Sequence, residues 1–411
     1  MNKLLIIGHN WPEPTTTAAG QRMVQLIDAF LQFDFVVIFV STASKTPYSL
    51  NLETMGVTTI SIQLNHSSFD EFVQNLQPDY VVFDRFMVEE QFGWRVTEQV
   101  PKAVRILNTE DLHSLRKTRE ACYTKREEFT LEYWKRFDMT KREIASIYRS
   151  DLSLMVSTFE MELLQKELQI PKNLLMHLPF LMDKITNNEE DSWPTFEERI
   201  DFITYGNGKH APNVDSFSYL KKSLWPRIRK KLPEANLKVF GAYLPQQISE
   251  MHAPNEGFHV IGWVENLCVE IQRARIVLAP LHFGAGIKGK ITDALKNGTP
   301  VVTTQVGVEG MVLDGLPKAC ISESNPKEFA NSAIEAYSNQ SLWQTAQKKG
   351  IALVNSNYLK SKHEERLKVI LEDVSQNLEQ GRNQNFIGSL LQHQTVLASK
   401  YMGKWIEAKN K

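Results

Sequence analysis

The residues best suited to chemistry lie in one stretch, 278–311, which reads LAPLHFGAGIKGKITDALKNGTPVVTTQVGVEGM. An apolar run ends at Ala279-Pro280, the loop Gly284-Ala285-Gly286 follows, and the spacing predicts a helix from near Ile287. Small residues let backbone N–H groups approach an anion closely, and a helix N-terminus adds positive partial charge. Lys288 and Lys290 stand where they would neutralise phosphate oxygens. The chemistry implied is the holding of a phosphorylated ligand. A tight turn with two solvated lysines is the plainer alternative. The P-loop pattern GxxxxGK[ST] is absent, and GAGIKG does not follow the first strand as a dinucleotide fingerprint would.

A second set of candidates lies near the front of the chain. Thr16 to Gly20, with Thr17 and Ala19 inside it, is a small-residue loop that opens a helix carrying Arg22. It is a second anion-tolerant helix start, and Arg22 either meets a ligand or is solvated. His113 follows Asn108-Thr109-Glu110-Asp111 at the end of a strand-like run. Histidine titrates near neutral pH and suits proton handling, whereas a helix cap at Asp111 beside a merely polar His113 is the alternative. Asp84-Arg85 ends another such run. Asp201, Asp215 and Asp314 are isolated and read as solvated or capping residues, and no paired carboxylates are placed to hold a metal.

These groups need a scaffold, and the apolar pattern supplies one. KLLIIG (3–8), FVVIFV (35–40), VTTISI (57–62), DYVVFD (79–84), AVRILN (103–108) and LSLMVS (152–157) read as strands, several apolar at nearly every position. That is the mark of parallel strands buried on both faces. Helical stretches such as 20–33 and 88–99 fall between them. The alternation lapses over the polar, acidic segment DKITNNEEDSWPTFEE (183–198) and resumes with IDFITYG (200–206), NLKVFG (236–241), FHVIGW (258–263), RIVLAP (275–280) and TPVVTT (299–304). Beyond about 326 only helices are expected. The fold class is therefore α/β. It comprises a doubly wound domain over 1–185, a linker over 186–199, a second such domain over 200–355 and a helical tail over 356–411. Ligands of such sheets gather at the carboxyl ends of the strands, here in a cleft between the domains.

Composition narrows the function classes. A chain of 411 residues gives roughly 2.7 domains at about 150 residues each. Lys+Arg 47 against Asp+Glu 48 leaves a net charge of -1, which argues against nucleic acid as partner. Cys122, Cys268 and Cys320 are too scattered for a disulfide framework and read as buried free thiols in a cytoplasmic protein. No apolar run approaches the roughly 18 residues of a membrane span.

The series Pro280-Leu281, Gly284 to Lys290, Asp293-Ala294-Leu295, Gly298, Pro300 to Val302, Thr304 and Gly307-Val308-Glu309-Gly310 resembles the GAGIKGK branch of the GT-B glycosyltransferases of family 4, the retaining group 1 glycosyl transferases. YGNGKHAPNVDSFSYL (205–220), HVIGWVENL (259–267), NWPEPTTTAAGQRMVQL at the front and NTEDLHSLR (108–116) are similar to other segments of that family. The resemblance covers roughly residues 1–355. It implies a GT-B fold, two Rossmann-like domains facing a central cleft, with the nucleotide-sugar donor on the second domain and the acceptor on the first. By position, Gly284, Ala285, Gly286, Ile287, Lys288, Gly289 and Lys290 would cradle the diphosphate and sugar, and Asp293 would bind the ribose. Gly307, Glu309 and Gly310 would close the pocket, with Gly206, Asn207, Trp263 and Val264 beside the nucleotide. Thr17, Ala19, Gly20 and Arg22 would lie on the acceptor side.

The activity that the resemblance implies is transfer of a sugar from a UDP-, GDP-, ADP- or dTDP-sugar to a hydroxyl of a carbohydrate, lipid-linked or protein acceptor. It implies retention of configuration, glycan or glycoconjugate synthesis, no permanently bound cofactor and no obligatory metal. His113, Asp111 and Lys290 are the candidate catalytic groups. Many members carry a Glu-x7-Glu pair, and its first position falls here on Ala285. That departure, with Asp293 for the usual Glu, keeps open a binding or scaffold protein that has lost catalysis; a sugar-nucleotide epimerase is the other alternative. Residues 113–149 hold ten Lys/Arg and six Asp/Glu, a net of about +4, along with Phe129, Tyr133, Trp134 and Phe137. They offer a surface for anionic polymer or peripheral contact with a membrane's inner face, or else an ordinary amphipathic helix. An apolar stripe (Phe386, Ile387, Leu390, Leu391, Val396, Leu397, Tyr401, Trp405) marks the tail as a strap across to the first domain or as an interaction segment.

Overall fold

The structure, a computed structural model, describes residues 1–311, 321–322 and 325–410; Asp314 and Cys320 lie outside the described residues, as do the side chains of Val396 and Leu397. The first sheet contains β1 (Lys3–Gly8), β2 (Val36–Ser41), β3 (Thr58–Ser61), β4 (Tyr80–Asp84), β5 (Val104–Glu110), β6 (Leu152–Met155) and β7 (Leu175–His177). Its order is β3-β2-β1-β4-β5-β6-β7, with every pairing parallel. Alternate residues explain the unbroken apolar runs. Leu5, Ile7, Val81, Phe83 and Leu107 enter one core, while Leu4, Ile6, Val82 and Ile106 enter the core on the opposite face.

The second sheet contains β8 (Ile200–Tyr205), β9 (Leu237–Phe240), β10 (Phe258–Gly262), β11 (Ala274–Ala279), β12 (Val301–Thr304) and β13 (Ile321–Ser322), in the order β10-β9-β8-β11-β12-β13, again all parallel. In both sheets the strand order reverses next to the first strand, between β1 and β4 and between β8 and β11. Loops leaving adjacent strands there diverge to opposite faces and open a crevice.

Three sequence expectations change in the structure. First, the segment 186–199 is not a free linker. Thr186 caps a short helix, Asn187–Asp191, and Trp193 is buried in the second domain's core against Gly298. Arg199 is buried too, donating to Thr299 Oγ1 at 2.6 Å and to the carbonyl of Asn297.

Second, 113–149 forms three helices, His113–Lys125, Leu131–Arg136 and Asp138–Arg149. Seven of its ten basic side chains hold carboxylates: Arg116 with Asp111, Lys117 with Glu120, Arg119 with Glu309, Lys135 with Glu167, Lys141 with Asp138, Arg142 with Glu90 and Arg149 with Glu89. Trp134 is fully buried and Phe129 packs on the core, so part of the stretch serves packing, while Tyr123 and Tyr133 remain exposed. Among the described residues no helix is long and apolar enough to cross a membrane.

Third, the isolated polar residues are engaged. Asp201 is buried, accepting from the Asn236 backbone N–H at 2.9 Å, and Asp215 lies 2.7 Å from His282. Cys122 is buried as expected, but Cys268 is exposed on a helix (Leu267–Arg273) in which Ile271 is the buried residue.

The chain passes between the domains twice. On the outward pass the Met182 N–H donates to the Tyr358 carbonyl at 2.8 Å, and on the return the Lys360 N–H donates to the Met182 carbonyl at 2.7 Å. Asn355 grips both backbone groups of Ile185, at 2.8 and 3.0 Å. The helix Lys360–Gln376 then lies on the first domain and places Leu367 and Leu371 in the core with Leu26 and Phe30. Arg382 follows, binding Asp151 at 2.8 and 2.7 Å, and the last helix, Phe386–Asn410, packs beside Trp94.

Candidate functional site

A cavity of about 500 Å³ lies between the carboxyl edges of the two sheets and is lined from both domains. The second domain contributes Gly206 and Asn207 after β8, Trp263 and Val264 after β10, and Gly284 through Lys290 with Asp293 after β11. The first contributes Thr17, Ala19 and Gly20 after β1 and Asp111, His113 and Arg116 after β5. Most of the residues singled out from the sequence thus meet in one place.

The glycine loop has a defined local shape. Gly286 has φ +62, and a Cβ there would lie 2.8 Å from the Cβ of Asp111. The helix begins at Gly289, two residues later than expected, because Lys288 stays extended (φ -86, ψ 102) as its cap residue. Ala18 abuts Gly289, where an added Cβ would come within 2.4 Å of it, so the two small-residue helix starts meet face to face. On the opposite side Thr17 caps its own helix by accepting from the Gly20 N–H at 2.9 Å.

Neither lysine is solvated. Lys290 is buried, donates to Asn213 Oδ1 at 2.9 Å, and is pushed down to about 7 by loss of hydration. Lys288 donates to the Gly286 carbonyl at 2.8 Å; burial lowers it to about 8 although Glu309 and Glu160 pull the other way. Asp293 is raised to about 7 by burial. A buried cation with no carboxylate in contact leaves its charge to be balanced by a ligand. Trp263, with 40% of its surface exposed, stands at the rim 5.2 Å from the Tyr48 ring of the first domain.

The first-domain residues depart more from expectation. His113 is lowered to about 4, chiefly by burial, against the pull of Asp111, so it is neutral at physiological pH rather than titrating there. Its Nδ1 lies 3.0 Å from both the carbonyl and Oδ1 of Asp111. Burial works against the Asp111 charge, yet Arg116, at 2.6 Å, and His113 hold its carboxyl well below the usual range. Arg22 does not reach the cavity. It is buried beneath it, donating to Asn108 Oδ1 at 3.2 Å and to the Pro179 carbonyl at 2.9 Å. Gly307, Glu309 and Gly310 also lie off the cavity: Gly307 faces Thr303, Gly310 abuts Ser157, and Glu309 takes both arms of Arg119 at 2.5 and 2.8 Å.

Several lining residues carry no sequence signal of their own or only a faint one. Glu110 and Arg85 line the cavity with φ of 62 and 78, left-handed values uncommon for such side chains. Burial raises Glu110 to about 7. Their place at the carboxyl ends of strands, Arg85 just after β4 and Glu110 as the last residue of β5, was the available signal. Glu13, Lys209 and Asn213 lie inside segments that resemble the family but take no role of their own from the sequence, and only folding brings Tyr243 Oη within 3.1 Å of Glu13. Among the described residues no group of three or more His, Cys, Asp or Glu is arranged to hold a metal ion.

Comparison with solved structures fits this architecture. Sucrose-phosphate synthase from Thermosynechococcus elongatus superposes with a TM-score of 0.68 at 13% identity, covering 91% of this chain and 99% of that one. HepE of Anabaena in complex with UDP and glucose gives 0.65 at 11%, covering 90% and 100%. A glycosyltransferase from Rickettsia africae gives 0.63 at 11%, covering 90% and 98%. The fold is GT-B. Residues 200–339 match the family model described as Glycosyl transferases group 1. No curated protein matches closely enough to count as a relative. The GT-B cleft is where the lysines, the glycine loop and Trp263 converge, and the family match falls on the domain that carries all of them.

Proposed function

We propose that the protein is a glycosyltransferase that moves a sugar, with retention, from a nucleotide-diphosphate sugar to an acceptor hydroxyl of a carbohydrate or glycoconjugate. The observation that carries this is the pair of buried lysines, Lys288 and Lys290, at a glycine loop and helix start inside a two-domain cleft. Leaving-group departure from the sugar's C1 puts growing negative charge on the diphosphate. Fixed cations and backbone amides in a low-dielectric site stabilise that charge without reorganisation. Two lysines that carry depressed pKa values while empty become fully charged against a diphosphate, and they supply the positive charge that the loop lacks elsewhere.

In this reading Asp293 takes the ribose hydroxyls, Trp263 packs on the base, and the acceptor enters past Thr17, Ala19 and Gly20. The Glu-x7-Glu acid has no counterpart at Ala285, so the amides of 284–290 and the lysines carry the stabilisation of the transition state. His113, neutral with Nδ1 directed at Asp111, offers Nε2 as an acceptor for the acceptor hydroxyl's hydrogen. That contact only orients the incoming hydroxyl; as the bond from C1 to the diphosphate breaks, the hydroxyl's proton passes to the departing phosphate oxygen on the same face rather than to His113, and the new bond forms with retention.

Thermal shift against UDP-, GDP-, ADP- and dTDP-sugars tests the reading, followed by product detection with the donor that binds. A shift of several degrees with one nucleotide class, abolished by Lys288→Ala together with Lys290→Ala, is expected. An absence of any shift sinks it and favours a protein that keeps the fold for binding alone.

A further inference from the structure

One buried carboxyl belongs to neither the donor set nor the acceptor set, yet it touches the donor loop. Glu160 sits in the first turn of the first-domain helix Thr158–Glu167 and has no exposed surface. Its Oε1 accepts from the Gly286 N–H at 2.6 Å, across the domain boundary, and from the Leu112 N–H at 3.2 Å. Its Oε2 is buried with no hydrogen-bond partner. The other side of the same glycine, its carbonyl, receives Lys288 Nζ. Gly286 is therefore held at both ends, by Glu160 from the first domain and by Lys288 from the second.

Neighbouring contacts act in the same direction. Arg119 donates to the Gly284 carbonyl at 2.9 Å and Thr158 Oγ1 donates to the Gly310 carbonyl at 3.2 Å. Both donors belong to the first domain and both acceptors to the second, Gly284 within the donor loop and Gly310 after β12. The loop has no carboxylate of its own at position 285, where Ala285 stands.

We infer that Glu160 is a positioning residue that sets the left-handed turn at Gly286, and through it the placement of Lys288, when the two domains meet. This rests on the glycosyltransferase reading for its catalytic consequence. With the domains together as in the structure, Glu160 already lies against Gly286 and completes a loop that the second domain alone leaves unfinished. Donor binding and turnover are thereby separated, because the charge-stabilising geometry exists only with the acceptor domain in place. An acceptor oxygen is the feature required, since burial raises the Glu160 carboxyl to about 8, with Asp111 adding to the effect, and leaves it mostly protonated at neutral pH.

Three variants of the full chain test this: Glu160→Ala, Glu160→Asp and Glu160→Gln. Glutamine keeps an acceptor oxygen at the same reach, aspartate withdraws it by one methylene, and alanine removes it. With the nucleotide sugar that the wild type uses, Ala and Asp should lower kcat about 10- to 100-fold while the donor KM stays within about 3-fold, and Gln should recover kcat to within about 3-fold. Hydrogen–deuterium exchange of the unliganded protein over 283–291 supplies the second readout. It should be about tenfold faster in Ala and Asp and near wild type in Gln. Aspartate carries the test if the alanine variant does not fold. Wild-type kcat and exchange in Glu160→Asp overturn the inference, as does a Gln variant as impaired as Asp. If the wild type turns over none of the four nucleotide sugars, the functional reading fails, and exchange alone still decides whether Glu160 shapes the loop.

Discussion

Lys290 and Lys288 should take up protons when the donor binds, and the size of the effect follows from their burial. Free Lys290 titrates at about 7 and Lys288 at about 8. At pH 8 they therefore carry about 0.1 and about 0.5 proton. A diphosphate in contact restores both to nearly full charge, so the lysines should take up about 1.4 protons at pH 8 and only about 0.1 at pH 6. Integrated between those limits, the lysines should weaken donor affinity about 20-fold from pH 6 to pH 8, or about 1.8 kcal/mol, an effect isolated in Asp293→Asn because ionisation of Asp293 opposes it over the same range. The sign of the stability effect is opposite. Above about pH 7 these two lysines bind more protons in the unfolded chain than in the folded one, so their own contribution to stability rises with pH, while Asp293, Glu110 and Glu160, raised to about 7, 7 and 8, contribute in the opposite direction until they ionise. Titration calorimetry with a nucleotide sugar, in buffers of different ionisation enthalpy, measures the uptake directly. Asp293, raised to about 7, is already largely ionised at pH 8 and adds little there. Lys290→Ala should cut the uptake at pH 8 to about 0.5. Uptake below about 0.3 proton at pH 8 in the wild type would refute the idea that these lysines meet the diphosphate.

His113→Ala should lower kcat about 100-fold with little change in donor affinity, and the His113 group should add no inflection to the rate profile between pH 5 and 8; an unchanged kcat would leave His113 a purely structural partner of Asp111. Trp263→Ala should weaken nucleotide binding about 5- to 10-fold without altering kcat once donor is saturating, which equilibrium titration reads. Asp293→Asn should weaken donor binding by about tenfold, from the loss of a charged acceptor for the ribose; equal affinity would remove Asp293 from the site. Gly298→Ala should destabilise by about 2–4 kcal/mol in urea unfolding, because φ is +64 and the new Cβ would lie 2.2 Å from the Trp193 ring. A loss under about 0.5 kcal/mol would mean that the ring moves freely aside.

The fold is legible wherever strands are long and buried on both faces. β1, β4 and β11 announce themselves by apolar residues at consecutive positions. β7 and β13 do not, since Leu175–His177 and Ile321–Ser322 are too short for any period to register. The donor loop is legible because glycines and lysines at fixed spacing have few other uses. Arg22 escapes a sequence reading because its burial beneath the cavity depends on Asn108 and Pro179, which lie 86 and 157 residues away. The basic stretch misleads for a similar reason: net charge counts residues, whereas partners such as Glu89, Glu90 and Glu309 come from elsewhere in the chain. Glu160 lies in TFEMELL, where nothing distinguishes it from a solvated helix glutamate until the second domain arrives.

The return of the chain onto the first domain also fixes the order in which the protein can mature during synthesis. Residues 1–185 contain all seven strands of their sheet, but Leu367 and Leu371 complete its core and Arg382 binds the otherwise buried Asp151. Those residues leave the ribosome after the whole of the second domain. The half made first is therefore finished last, and it must wait with apolar surface near Leu26 and Phe30 uncovered while some 170 further residues are added. The second domain needs no such delay, since its core closes with Leu353, Val354 and Tyr358. Release of the early half from chaperones should coincide with emergence of the helix Lys360–Gln376, and a peptide of that helix supplied in trans should rescue a fragment ending at 185.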